Sequence, residues 1–310
     1  MEVRPADRLG DMVALQKLAS RLWPAGIHHP GGLGWALAID QAPANLLVAV
    51  ENGELVGWAG QEDSTVEVHV SADRPSAATA LLDAELAEVD AAKVGVMVVE
   101  GDGVMAQLAG RLGFRPDPAR PPIYGMFHDA GVDPAPVPAG YRIRGLASGE
   151  EPARVDVHRA AWRPATMPFP AETLRAVPAE ATSRFTHDHF AAMQRAWLYD
   201  PELDLVIEAA DGTLAGCCTL WWDPALGVAE IEPLGVVPAH RRRGLATALC
   251  LTAAGLVGRR GGHEVFINTG PRDDYPAPAV TYASAGFTTV ERAAVWMAPT
   301  TRSDMEGRPR

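Results

Sequence analysis

The chain carries the same ordered set of signals twice, and any fold must accommodate both. Residues 46–60, LLVAVENGELVGWAG, hold a β-rich run, a turn at Asn52-Gly53 and a second apolar run. Residues 205–219, LVIEAADGTLAGCCT, repeat that pattern around Asp211-Gly212. Both read as β-hairpins. Each is preceded by a short strand that leads into a helix-like segment, MEVRP at 1–5 and YRIRG at 141–145, and each is followed by a Gly-Phe close, RLGF at 111–114 and SAGF at 284–287. The shared order predicts two copies of one α/β unit.

Between the copies lies AGVDPAPVPAG, residues 130–140. Proline fixes φ and disfavours helix in the residue before it, so this stretch is expected to be an extended linker. The predicted division is a first domain at 1–129, a Pro-rich linker at 130–139, a second domain at 140–299 and a polar tail at 300–310. A length of 310 residues with 47% hydrophobic content is enough for two cores.

In the second copy, VAEIEPLGVV at 228–237 alternates and then runs apolar, as a buried strand does, and Pro238 ends it. Residues 244–255 read as a small-residue helix with Leu245, Leu249 and Leu256 toward a core. Arg241, Arg242 and Arg243 therefore fall on a strand-to-helix turn. Such a turn offers unpaired backbone N–H groups and the positive end of a helix dipole to phosphate oxygens. Gly244 and Ala246 keep the approach clear. Neither a Gly-Lys-Ser/Thr P-loop nor a GxGxxG fingerprint is present, and a basic surface turn is the competing reading.

The run LGVVPAHRRRGLATAL resembles the acyl-CoA pyrophosphate motif of the GNAT superfamily of N-acyltransferases, Arg/Gln-x-x-Gly-x-Gly/Ala after a strand ending in Val-x-Pro. Arg241, Gly244 and Ala246 occupy its diagnostic positions. Downstream, VFINTG at 265–270 resembles the family's next strand, with Asn268 at its end, and TYASAGF at 281–287 resembles its Tyr-x-x-x-Gly-Phe close. The resemblance spans residues 140–299. It implies an α/β fold of two tandem GNAT-like domains, each a mixed, mostly antiparallel central sheet flanked by helices.

The resemblance also implies acetyl-CoA, or another acyl-CoA, as co-substrate. The pyrophosphate would rest on the backbone of Arg241, Arg242, Arg243, Gly244, Leu245, Ala246 and Thr247, with the guanidinium groups drawing in the 3′-phosphate end. The pantetheine would lie along the strand edge at Leu234, Gly235, Val236 and Val237, and Asn268 would bond its amides. The implied reaction is transfer of an acetyl group to a primary amine by direct attack in a ternary complex.

Glu230 stands where several family members keep a catalytic glutamate. Glu232, two residues on, points to the same face of a regular strand, and which of the two is the base stays open. Burial on an apolar strand raises a carboxyl pKa toward that of a useful base. Tyr282 is the expected acid, its phenol near 10 being matched to a thiol. The first copy reads VHVSADRPSAATALL at 68–82, with no glycine and with Pro75 removing a donor, and Ala109 stands where Tyr282 does. That copy is expected to be degenerate. The alternative function is a CoA-binding regulatory or interaction module without turnover.

Formal net charge is -12, which argues against nucleic acid and favours a cationic acceptor. No apolar run approaches about 20 residues, and MEVRPADR lacks a signal-peptide core, so a cytoplasmic chain off the membrane is expected. The partners expected are a small-molecule amine and, at most, a second copy of the chain. Three cysteines, two of them adjacent, form no disulfide framework. His187 and His189 are accompanied by no third ligand cluster or Cys pair and read as surface or helix-face histidines, His28-His29 reads the same way, and no metal is expected. Trp162, Phe169, Trp197, Trp221 and Trp222 are assigned mostly to packing, with one or two on the acceptor pocket.

Overall fold

The computed structural model describes residues 1–298 except 63, 91, 92, 134, 135, 176 and 179. The predicted tail at 300–310 lies outside the described residues. The chain opens with β1 (Glu2–Pro5), α1 (Met12–Leu22), α2 (Pro30–Ala38), β2 (Leu47–Glu51), β3 (Glu54–Glu62) and β4 (Thr65–Val70). It continues through α3 (Pro75–Ala87), β5 (Gly95–Val99), α4 (Gly103–Arg111), β6 (Arg115–Pro116), β7 (Ile123–Asp129) and β8 (Tyr141–Gly145). Then come α5 (Glu151–Ala161), α6 (Ala171–Arg175), α7 (His187–Met193), β9 (Asp204–Ala209), β10 (Leu214–Asp223) and β11 (Val228–Val236). The last are α8 (Leu245–Arg259), β12 (Glu264–Ile267), α9 (Ala277–Ser284) and β13 (Thr288–Met297). None of the described helices is long and apolar enough to cross a membrane.

These elements form two compact units. One holds Met1–His29, Gln41–Ile123 and the chain from Glu291; the other holds Pro30–Asp40 and Tyr124–Val290. The units are not the consecutive blocks 1–129 and 140–299 expected from the sequence. The reason is an exchange of strands. In the first unit, residues 293–297 of β13 pair antiparallel with β5, from Ala293↔Val99 to Met297↔Gly95. In the second, β7 pairs antiparallel with β12, from Glu264↔Asp129 to Ile267↔Met126. Each sheet borrows a strand from the far side of the linker.

The rest of each sheet follows the local signals. Asn52 (φ 54°) and Gly53 (φ 83°) make the left-handed pair that a two-residue hairpin requires, joining β2 to β3. At the matching place between β9 and β10, Gly212 has φ 84° and the Asp211 carboxylate accepts from the Thr213 amide at 3.0 Å. Both sheets are antiparallel apart from one parallel step, β4 with β5 and β11 with β12.

The second core lies between this sheet and α8. Leu245, Leu249, Ala253 and Val257 of α8 are buried against Ile207, Cys218, Leu220, Ala229, Ile231 and Val265. The alanines and two glycines of α8 let it lie close, and the three cysteines are buried and free. Beneath α5, Arg154 and Asp204 form a fully buried pair at 2.8 Å, with Thr219 bonded to both at 3.0 Å.

Candidate active site

The site grows from the way β11 ends. Its pairing with β12 stops at Glu230↔Phe266, while its pairing with β10 runs on to Val236↔Gly216. From Ile231 onward, among the described pairs, one edge of β11 is open, so its N–H and C=O groups face a cleft. Opposite β10, the register passes from Leu220↔Ile231 to Cys218↔Leu234, so β11 carries an extra residue around Glu232 and Pro233, whose peptide is cis. This bulge restarts the alternation: Leu234 and Val236 pack on the same core as Ala229 and Ile231.

After Pro238 the chain turns through the three arginines. Arg242 is left-handed at φ 61°, Gly244 follows at φ 78° as the N-cap of α8, and the first intrahelical bond runs from Ala248 N to Gly244 O at 2.9 Å. The amides of residues 244–247 thus have no helical acceptor. A Cβ at Gly244 would meet nothing within 4 Å, so the space above the turn is clear.

This turn is one wall of a cavity of about 440 Å³. Leu234, Gly235, Val236, Arg241, Arg242, Gly244, Leu245, Ala246, Thr247 and Tyr282 all line it. Among the residues expected to bind cofactor, Val237, Arg243 and Asn268 are not on its described wall, and Asn268 is exposed just past the end of β12. Trp162, Met167, Pro168, His240 and Tyr275 line the cavity as well.

Arg241 lines the cavity, but its guanidinium nitrogens are taken up by backbone carbonyls. Its Nε donates to Val236 O at 3.0 Å and its two terminal nitrogens to Ala161 O, at 2.9 Å, and Thr166 O. One guanidinium thereby ties the end of β11 to the segment after α5, leaving Arg242 and Arg243, both exposed, as the outward charges. That segment places Trp162 against Gly235, where an added Cβ would come within 2.2 Å of the ring. Trp162 in turn stacks on His158 at 4.3 Å between centroids, and burial pushes that imidazole down to about 3 so that it stays neutral.

The two carboxylates differ sharply. Glu230 is buried, and its Oε2 accepts from the Gly32 amide in the first turn of α2 at 2.6 Å. Gly31 lies so close to Trp221 that a Cβ would sit 2.1 Å from it. The sequence signal for this wall was PGGLG at 30–34, which reads as helix-breaking because glycine is a poor helix former. Glu232, at the bulge, has its carboxyl pushed up to about 8 by burial and by the charge of Glu230. Tyr282 is 8% exposed, and burial first, then Cys250 and Glu232, raise its phenol well above the usual value.

The acetyltransferase (GNAT) family matches residues 167–287. Over 262 residues the chain is 30% identical to a mycothiol acetyltransferase of Clavibacter michiganensis, covering 81% of this chain and 79% of the relative. The chain belongs to the GNAT acetyltransferase family. Among solved GNAT-related structures, a tandem GNAT protein from the clavulanic acid biosynthesis pathway superposes with a TM-score of 0.53 at 19% identity, covering 97% of this chain and 99% of that one. A GNAT-family acetyltransferase of Colwellia psychrerythraea gives 0.53 at 12% identity over 96% and 100%. The fold is therefore that of two tandem GNAT-like domains. Enzymes of this GNAT family transfer acyl groups and draw them from acetyl-CoA.

Proposed function

We propose that the second unit transfers an acetyl group from acetyl-CoA to a primary amine of a small molecule by direct attack. The observation that carries this reading is the left-handed Gly244 opening α8 beside the free edge of β11, in one cavity with Tyr282 on its wall. The donor fits these residues: free amides at 244–247 and the exposed Arg242 and Arg243 suit phosphate oxygens, and the open β11 edge suits amide groups.

The acetyl group arrives as a thioester. Glu232 takes the proton that the attacking nitrogen must lose, directly or through a water, as its carbonyl-carbon–nitrogen bond forms and the carbon–sulfur bond breaks. Tyr282, holding its proton across the physiological range, returns one to the sulfur. Glu230 caps α2 through Gly32 and keeps a negative charge beside Glu232 that holds the latter's affinity for protons high. Trp162 and Arg241 shape the channel without touching the reacting atoms. The name of the Clavibacter relative puts mycothiol-related amines at the head of an acceptor panel.

The test is calorimetric titration of the full chain with acetyl-CoA, followed by the amine panel read as release of CoA thiol. One site per chain with amine-dependent release is expected. Tight binding with no release for any amine would favour a CoA-binding module without turnover, and no binding would overturn both readings.

A further inference from the structure

The first unit has lost its phosphate turn, yet its strand β4 keeps chemistry at the register of the catalytic strand. Val66 and Val68 face the core of the first unit as Ala229 and Ile231 face that of the second. Glu67 and His69 therefore match Glu230 and Glu232. A third group joins them from a distance in sequence: His28 Nε2 lies 2.8 Å from Glu67 Oε2, and His69 Nε2 lies 3.2 Å from the same oxygen. One ligand atom from each of the three falls within 4.8 Å of the others.

From this geometry we infer that His28, Glu67 and His69 form a binding site for a divalent transition metal of the zinc class. Two imidazole nitrogens and one carboxylate oxygen are a donor set that zinc accepts with its fourth position open. Bond lengths of about 2.0–2.2 Å around a tetrahedral ion set its ligand atoms roughly 3.4 Å apart, so the Glu67 oxygen must part from each ring nitrogen by a few tenths of an ångström, while the two ring nitrogens, no more than 4.8 Å apart, settle to the same spacing. The rings are already oriented. Trp58 stacks on His69 at 4.7 Å between centroids, and His28 meets His69 edge to face at 4.8 Å. Access is from the His28 side, whose side chain is 23% exposed, while that of His69 is 2% exposed. A bound ion would fasten the segment before α2 to β4.

The pairing of His28 with His29 in the sequence gave no hint of this, because its partners come from a strand some forty residues later. The test uses the full chain stripped by chelator and titrated with Zn²⁺, read by calorimetry and by Tm, with Co²⁺ absorption as a second probe. Expected are one ion per chain, a rise in Tm on adding zinc, and a Kd at least about tenfold weaker in His28→Ala and in Glu67→Gln. His28 is partly exposed, so its variant is expected to fold, and circular dichroism verifies that. Absence of stoichiometric binding overturns the proposal, as does binding that survives both substitutions or that is lost instead in the His187→Ala, His189→Ala double variant. If both variants misfold, a Co²⁺ spectrum of the unaltered chain decides: nitrogen and oxygen ligation supports the site, and the spectrum of the hydrated ion overturns it.

Discussion

Glu230 and Glu232 stand two apart on one strand, and only their surroundings distinguish them. Glu230 answers a backbone amide 198 residues away in sequence, whereas Glu232 sits on a bulge with its carboxyl raised to about 8. Glu232→Gln is accordingly expected to lower kcat about 10²–10⁴-fold with acetyl-CoA affinity unchanged. Glu230→Ala should leave acetyl-CoA binding in place and lower stability by about 1–3 kcal/mol, because the Gly32 amide loses its acceptor. A carboxyl acts as a base only once deprotonated, so kcat/KM should climb as pH rises through about 8. The same raised value costs stability: the folded chain holds a proton that the unfolded chain releases near 4.5, so stability falls between those values. Thermal melts from pH 5 to 9 should show a shallower decline in Glu232→Gln. An identical decline would mean that the group is not buried as described.

Among the elements, the turn into α8 was fully legible, because glycine after arginines, a proline-stopped strand and an apolar helix are all local signals. Gly244→Glu should weaken acetyl-CoA binding at least about 100-fold by placing a charge over the free amides, with far-UV circular dichroism unchanged. Retained affinity would remove the phosphate role of this turn. The α2 wall was not legible. Its three glycines argue against a helix, and what they accommodate, Trp221 and Glu230, comes from strands that the chain reaches only after another 180 residues or more. Nor did the sequence show that Arg241 would bind three carbonyls rather than a ligand, since an arginine in a phosphate motif looks the same either way. The pair beneath α5 gives a stability prediction. Asp204→Ala leaves Arg154 buried without its carboxylate, so a loss of about 3–5 kcal/mol in chemical denaturation is expected.

At the scale of the molecule, hairpins and closes announced two copies, but nothing local tells a strand which sheet it will join. The linker at 130–139 therefore looks like a place to cut and is not one. A fragment of residues 1–139 lacks the β13 strand that pairs with β5, and a fragment of residues 140–310 lacks both α2 and β7. Expressed apart, neither fragment should melt cooperatively, and co-expressed they should recover a single folded species; a sharp melt from either one alone would contradict the exchange.

Synthesis adds a temporal side to this arrangement. Ribosomes deliver the amino end first, so β1 to β5 emerge while the strand that closes them has yet to be made. Throughout most of translation β5 presents an unpaired edge, the kind of surface that pairs with neighbouring chains when left waiting. The amino-terminal unit, although its first strands are made early, thus closes last, once residues 293–297 have been released to pair with β5.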